Sequence, residues 1–486
     1  MIGLTGYGAY IPRLRLQRKT VAEANAWMNP GLVGLAKGER AMCNWDEDSL
    51  TLAVEAARDC LTGTGRDSVD HVVFASTTMP FEDRQNSGVL SLALNLKRGI
   101  SSMDVAASLR AGTTALLSAL DHAKSRANGK ASGEVLCAAA DSRKARAAST
   151  QELLFGCAGA AVTVGADNVI AEFKGSYTVT DDFIDHFRGE GQAVDYNWEE
   201  RWIKEEGYNK IVPAALAGLF EATGISGGDV DHLIVPLVAR KVPQTIAKIA
   251  GVDPDRARDP MVANVGDTGA AHALLMLASA LEDAQPGDKI VVCGFGQGCD
   301  ALLFEATDAI AGLAPRDGVS GALARREKET NYMKYLTFSG LLDIEKGIRA
   351  EKDRRTALTS LYRHRDMILG MVGGQCRKCG TAQFPKANIC VNPNCREVDS
   401  QDDLPFADRP SKILSWAADR LAYSIDPPSY YGMVEFDGGG RINTDFTDCQ
   451  DGRVEVGQSI KMMFRVREVD EERGFKKYFW KAAPVS

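Results

Sequence analysis

No stretch of about eighteen apolar residues occurs in this sequence, so no bilayer-spanning helix is expected. The start, Met1-Ile-Gly-Leu-Thr-Gly-Tyr7, lacks a basic segment followed by a long apolar run, and no signal peptide is read there. Positive charge is not in excess either. The 57 Lys and Arg against 65 Asp and Glu give a net charge of −8, which removes any overall attraction to nucleic acid or to an anionic membrane surface. A phosphorylated ligand must therefore meet a local basic patch. With no mark of export, the eleven cysteines are expected as reduced thiols in the cytoplasm, most of them small core residues.

The first 308 residues alternate short apolar runs with helical patterns. Strands are read at His71–Ser76, Glu134–Ala140, Asp231–Val235 and Lys289–Phe295. Helices are read at Ser49–Leu61, Gly112–Lys124, Ala214–Thr223 and Gly269–Leu281. Such alternation implies α/β layers. It also repeats. Val69-Asp70-His71 and Val230-Asp231-His232 each open a strand, and Ala111-Gly112-Thr113-Thr114-Ala115 is echoed by Thr268-Gly269-Ala270-Ala271. Two echoes in the same order favour a duplicated unit. Residues 309–370 break this pattern at Pro315, Gly318 and Gly321, and then run into a charged stretch from Glu345 to Arg355. That stretch is read as a solvated helix. The remainder alternates inside and outside in Ile460–Arg467 and carries turn glycines at Gly438-Gly439-Gly440, as a small barrel would.

Cys376-Arg-Lys-Cys379 and Cys390-Val-Asn-Pro-Asn-Cys395 are two close cysteine pairs separated by ten residues. Two such knuckles can surround one zinc ion tetrahedrally, and four thiolates leave no open position for catalysis. A structural zinc contributes on the order of 10 kcal/mol to the folding of a segment this short.

The opening Met1-to-Pro12 and Asn44-Trp-Asp-Glu-Asp48 resemble the hydroxymethylglutaryl-CoA (HMG-CoA) synthases of the thiolase superfamily. Asp104–Leu116, Gly266-Asp267-Thr268 and Gly294-Phe-Gly-Gln-Gly298 fall where that family and the ketoacyl synthases III keep active-site loops. The C-terminal part is similar to the DUF35 module, a zinc ribbon followed by an OB-fold, at Phe384-Pro385, Asp426-Pro427-Pro428 and Asp445-Phe446-Thr447-Asp448. The resemblance implies a duplicated thiolase fold (layered αβαβα) over 1–166 and 167–308. A helical linker at 309–370, a zinc ribbon at 371–403 and an OB-fold at 404–486 would follow. It also implies a coenzyme A thioester substrate and a homodimer formed through the thiolase-like domain; a separate thiolase is a partner in the alternative where this chain is a non-catalytic scaffold.

The resemblance breaks at the catalytic positions. Leu109 stands where the family has its acyl-accepting cysteine, Thr77 where it has a glutamate, Pro236 where it has a histidine and Asp267 where it has an asparagine. Ser108 lies beside Leu109 but has no evident base, and Cys293 and Cys299 flank the Gly-rich loop. Without a covalent acyl-enzyme, aldol or retro-aldol cleavage of a β-hydroxyacyl-CoA remains possible, because it needs only a base and donors for the enolate. Thiolase-like aldolases of steroid side-chain degradation, which also lack the nucleophile, add weight to this. Asp267 is the candidate base or a helix cap, and His272 its partner or a core histidine. His186 and Tyr208 are further candidates. Gly296 and Gly298 are expected to offer backbone donors, and Arg110, Arg240 and Lys241 to hold CoA phosphates or a substrate carboxylate. An HMG-CoA-synthase-like transferase with relocated residues and a non-catalytic acyl-CoA scaffold are the alternatives.

Overall fold

The computed structural model describes residues 1–128 and 133–485. They form two units. One comprises 1–44, 48–88 and 97–339, and the other comprises 45–47, 89–96 and 340–486. Among the described residues no helix is long and apolar enough to cross a membrane.

The first unit is built on nine strands: β1 (Gly3–Tyr10), β2 (Val69–Ala75), β3 (Ser101–Val105), β4 (Glu134–Ser142), β5 (Cys157–Gly165), β6 (Ala171–Thr180), β7 (His232–Ile234), β8 (Lys289–Phe295) and β9 (Gly298–Ala306). Their order in the sheet is β7-β8-β9-β6-β1-β5-β4-β2-β3. The duplication read in the sequence appears here as two matching halves. β2 runs parallel to β4, which pairs antiparallel with β5, and β5 with β1. In the other half β7 runs parallel to β8, β8 antiparallel to β9, and β9 to β6.

Each half contributes one central helix, α2 (Ala111–Asn128) and α5 (His272–Asp283), and α1 (Ser49–Cys60) precedes both in the chain. Gly112 lets them meet, since a Cβ there would overlap the Ala270 carbonyl oxygen. Strand alternation assigns the faces. Ile290 and Val292 of β8 join the core around the central helices. Val291 and Cys293 face a second core, formed with α3 (Asn209–Thr223) and α4 (Val242–Ile249). α1 covers strands of the first half and is buried along its whole length. It starts at a capping box in which the Asp48 carboxylate accepts from the Thr51 N–H.

In the second unit, β10 (Val372–Cys376), β11 (Ala382–Gln383) and β12 (Gln401–Pro405) make a three-stranded sheet. Five further strands follow: β13 (Ser411–Asp419), β14 (Ser429–Phe436), β15 (Arg441–Asp445), β16 (Ser459–Asp470) and β17 (Phe475–Pro484). They form an antiparallel sheet in the order β15-β14-β13-β16-β17. A bridge between Phe446 and Ala482, with the Thr447 N–H donating to the Ala482 carbonyl at 2.9 Å, brings the end of β15 to β17. The sheet thereby closes into a small barrel, with Phe464 and Trp480 in its core. Arg465 is fully buried and bonded to Glu47 and Asp448, each at 3.0 Å.

Within residues 309–370 the structure departs from the solvated helix read over Glu345 to Arg355. A helix at Gly318–Ala324 and another at Tyr332–Phe338 belong to the first unit, which ends at Ser339. The charged stretch from Glu345 to Arg355 holds only one 3-10 turn, Ile348–Ala350. It has no apolar stripe to bury, and a helix without one gains too little from packing to offset its nucleation cost.

Candidate active site and zinc centre

Where β4 ends, the sequence changes from alanine to Asp141-Ser-Arg143, placing two charged side chains in the interior of the first unit. The Asp141 carboxylate is fully buried and accepts five hydrogen bonds. They come from the Ser76 hydroxyl, the Thr77 N–H and hydroxyl, the Thr78 hydroxyl and the Ala270 N–H, at 2.7 to 3.0 Å. It therefore fastens the 76–78 loop to the turn that opens α5. Thr77, at the family's glutamate position, is one of the donors and not a base.

Arg143 is the hub of the charged centre. Its guanidinium donates to Asp195 at 2.8 Å and to Asp267 at 3.0 Å, and it lies 3.8 Å over the Phe155 ring. Asp195 also accepts from Arg188 at 3.0 Å, and Arg188 donates to the Thr77 carbonyl. A β-hairpin pairing His186–Phe187 with Tyr196–Asn197 carries Arg188 and Asp195 in its connection.

Asp267 is held by its backbone as well as by its carboxylate. Its N–H donates to Leu154 O, and its carbonyl accepts from the Gly156 N–H, both at 2.7 Å. The carboxylate also accepts from the Gly269 N–H at 2.9 Å, closing the turn that leads into α5. Burial pushes its pKa up, but Arg143, His272 and the Gly269 N–H together hold it below the ordinary carboxylate value. It is ionised, 18% exposed and only weakly basic.

Tyr208 ends a π-helical turn, Ile203–Tyr208, and packs edge-on against Phe295 at 5.0 Å. Burial, and then the negative charges of Asp185 and Asp267, push its phenol pKa well up. It is a neutral donor at any physiological pH. The imidazole Nδ1 of His186 lies 2.9 Å from the Asp185 carboxylate, which orients the ring and leaves Nε2 as its other functional nitrogen. His272 is placed differently. It is fully buried, and its Nδ1 accepts from the Thr268 N–H at 3.2 Å, bracing the turn that carries Asp267. Burial, opposed by Asp267, lowers its pKa.

Most of the remaining sequence candidates have partners of their own. Ser108 is tied into the turn before α2: its hydroxyl donates to the Gly296 carbonyl at 3.0 Å and accepts from the Arg110 N–H at 3.2 Å. Gly296 is pressed against this turn, where a Cβ would come within 2.5 Å of the Ser108 hydroxyl and 2.9 Å of the Arg110 nitrogen. The Gly296 N–H donates to Gly298 O at 3.0 Å, and Gly298 adopts φ +112, so the glycines shape the hairpin between β8 and β9. Arg110 turns inward, bonding the Val179 carbonyl at 3.0 Å beside the buried Asp300. Arg240 and Lys241 are exposed at the start of α4. Cys293 and Cys299 are fully buried, and Cys293 together with burial pushes the Cys299 thiol well up.

In the second unit, Cys376, Cys379, Cys390 and Cys395 bring their sulfurs within 4.8 Å of one another. Tetrahedral zinc with bonds of about 2.3 Å separates its thiolates by about 3.8 Å, and the 3.9 Å between Cys376 and Cys395 fits that spacing. Cys376 ends β10, and Gly380, at φ +74, turns the chain after Cys379.

The chain is similar to known proteins along nearly its whole length. The model of the 3-oxoacyl-[acyl-carrier-protein (ACP)] synthase III C-terminal family matches residues 220–304. The hydroxymethylglutaryl-CoA synthase of Caldivirga maquilingensis is 30% identical over 355 residues, spanning 71% of this chain and 99% of that protein. The chain belongs to the hydroxymethylglutaryl-CoA synthase family. The Aeropyrum pernix member is 29% identical, over 71% of this chain and 96% of its own length. A crystal structure of HMG-CoA synthase complexed with CoA superposes with a TM-score of 0.59 at 18% identity, covering 73% of this chain and 95% of that one. The 3-oxoacyl-[acyl-carrier-protein] synthase III of Aquifex aeolicus gives a TM-score of 0.54 at 16% identity, covering 63% and 100%. Both share the thiolase fold of the first unit. Residues 372–399 match the ChsH2 rubredoxin-like zinc ribbon domain and residues 412–465 the ChsH2 C-terminal OB-fold domain. They extend the family's core by a zinc ribbon and an OB-fold.

Asp141, Arg143, Asp185, Arg188 and Asp195 were not singled out from the sequence. The signal available was local: charged residues closing the otherwise apolar strand β4.

Proposed function

We propose that this chain is an acyl-CoA-dependent carbon–carbon bond enzyme, an aldolase or retro-aldolase acting on a β-hydroxyacyl-CoA without a covalent acyl-enzyme. One observation carries the reading. The turn that leads into α2 carries Leu109, and its neighbour Ser108 is engaged with the Gly296 carbonyl and the Arg110 N–H, while the Asp267 carboxylate is held ionised by Arg143. The family's acyl-accepting position holds no nucleophile, and Asp267, the oriented imidazole of His186 and the phenol of Tyr208 are the groups suited to chemistry that needs none.

In this mechanism Asp267 or His186 accepts the proton of the substrate hydroxyl as the bond to the adjacent carbon breaks, releasing an aldehyde or ketone. The thioester enolate that remains is stabilised by donors, and Tyr208, kept neutral, is the side chain suited to that task. Arg143 keeps Asp267 ionised at the expense of its basicity. Asp185 orients His186, so that Nε2 can take a proton and return it to the enolate carbon. Exposed Arg240 and Lys241 are suited to the phosphates of CoA. The four cysteines would hold a structural zinc that stabilises the ribbon and takes no part in the chemistry. A homodimer through the first unit belongs to the same reading: β3 ends the sheet and pairs only with β2 among the described residues, leaving an edge for a second copy.

Family membership favours one rival, acyl transfer by relocated residues. Intact-mass analysis after incubation with acetyl-CoA separates the two. The aldolase reading expects an unmodified chain that still consumes a β-hydroxyacyl-CoA. A chain carrying an acetyl group would support transfer.

A further inference from the structure

Outside the zinc ribbon, two cysteines share a partner. Ser142 Oγ lies 3.4 Å from the Cys43 sulfur and 3.9 Å from the Cys157 sulfur. Cys157 opens β5, and Cys43 closely follows a short strand, Glu39–Ala41, that packs beside β5. The Cys43 thiol donates a hydrogen bond to the Cys157 sulfur. That bond, helped by the Arg40 cation and the Ser142 hydroxyl, outweighs burial and pulls the Cys157 pKa down to about 6. A lowered pKa favours the thiolate, the nucleophilic form. Other core cysteines behave in the opposite way, with burial pushing Cys60 and Cys137 up to about 12. Cys157 itself is buried, but Cys43 is partly exposed, which gives a small oxidant an approach to the pair.

We propose that Cys43 and Cys157 form an oxidisable dithiol that closes to a disulfide when the chain meets a hydroperoxide. The Cys157 thiolate attacks one peroxide oxygen. The O–O bond breaks, hydroxide leaves, and the sulfur becomes a sulfenic acid. The Cys43 sulfur then displaces the sulfenic hydroxyl, which departs as water with the Cys43 proton, and the S–S bond forms. The two thiols together lose two electrons, and the peroxide accepts them. A thiol reductant reverses the change by exchange. The site adjoins the charged centre, because the Ser142 N–H donates to the Thr78 hydroxyl at 3.0 Å and Arg143 is the next residue.

The test is peptide mapping of the full-length, zinc-loaded protein after a short exposure to hydrogen peroxide, with free thiols alkylated before digestion. The expected product is a Cys43–Cys157 cross-linked peptide, lighter by two hydrogens than its two parts and lost on treatment with dithiothreitol. In Cys43→Ser the cross-link is absent, and Cys157 instead forms an adduct with dimedone, the trap for sulfenic acids. If Cys43 and Cys157 are recovered as separate alkylated thiols while cysteines elsewhere in the same sample have oxidised, the proposal is overturned. The wild-type map decides the matter even if a variant folds poorly, and it does not depend on any catalytic activity.

Discussion

Arg143 donates to the Asp267 carboxylate at 3.0 Å, and the same guanidinium binds Asp195 at 2.8 Å. One buried cation thus serves two carboxylates that reach it from different loops. Removing it leaves Asp267 without its cation, while Asp195 keeps Arg188 at 3.0 Å; loss of a buried partner typically costs about 3–5 kcal/mol. Arg143→Gln is expected to lose that much in urea unfolding at neutral pH. Asp195→Asn should lose less, since Arg143 keeps Asp267.

The same pair sets a pH dependence. Asp267 lies below its unfolded value, about 3.9 for an aspartate, because Arg143, His272 and the Gly269 N–H outweigh burial. Its contribution to stability is fully present above that unfolded value and disappears as pH falls through the lower folded value. Activity that needs ionised Asp267 should therefore persist into mildly acidic solution. In Arg143→Gln burial prevails, the pKa of Asp267 rises, and the acid limb of the rate profile moves to higher pH. An unmoved limb would assign it to another group.

Asp141 accepts five hydrogen bonds at a fully buried position. Asp141→Asn replaces one acceptor oxygen by a donor facing donors, with an expected cost of roughly 1–3 kcal/mol or more. Hydrogen exchange should quicken at Thr77 and Ala270, whose amides bond Asp141, before it quickens elsewhere in the first unit.

Tyr208→Phe keeps the ring against Phe295 and removes only the hydroxyl. If the phenol stabilises the enolate, kcat should fall roughly a hundredfold or more, with the melting temperature nearly unchanged. Because Tyr208 titrates far above neutrality, the variant should keep any alkaline limb of the wild-type profile.

The ribbon makes its own prediction. Elemental analysis should find zinc bound to the chain, and Cys379→Ser or Cys395→Ser should lower the bound amount. Chelation should remove a contribution on the order of 10 kcal/mol from this segment, read as lost hydrogen-exchange protection across 372–399.

How much of this was legible in the sequence depended on the range of the interaction. The duplicated strands and helices were readable because their periodicity is local, and the Val69 and Val230 echoes mark equivalent strands. The zinc ligands were readable because their spacing carries the chemistry. The charged centre was not, since Asp141 meets Ser76 and Arg143 meets Asp267 across 65 and 124 residues of chain. His272 looked like a catalytic partner because it follows Asp267 by about one turn. Its ring instead closes back on Thr268, a choice made by the packing of α5. The stretch from Glu345 to Arg355 misled in the opposite direction, because charges alone do not hold a helix.

The measurement that tests the central claim most directly is mass spectrometry of acyl-CoA products. The purified chain would be incubated with short, branched, aromatic and steroid-like β-hydroxyacyl-CoA esters. The account predicts a shortened acyl-CoA appearing together with a free aldehyde or ketone, both lost in Asp267→Ala. Recovery of every ester intact, by a chain that still binds CoA ligands, would contradict it and would favour a non-catalytic acyl-CoA scaffold.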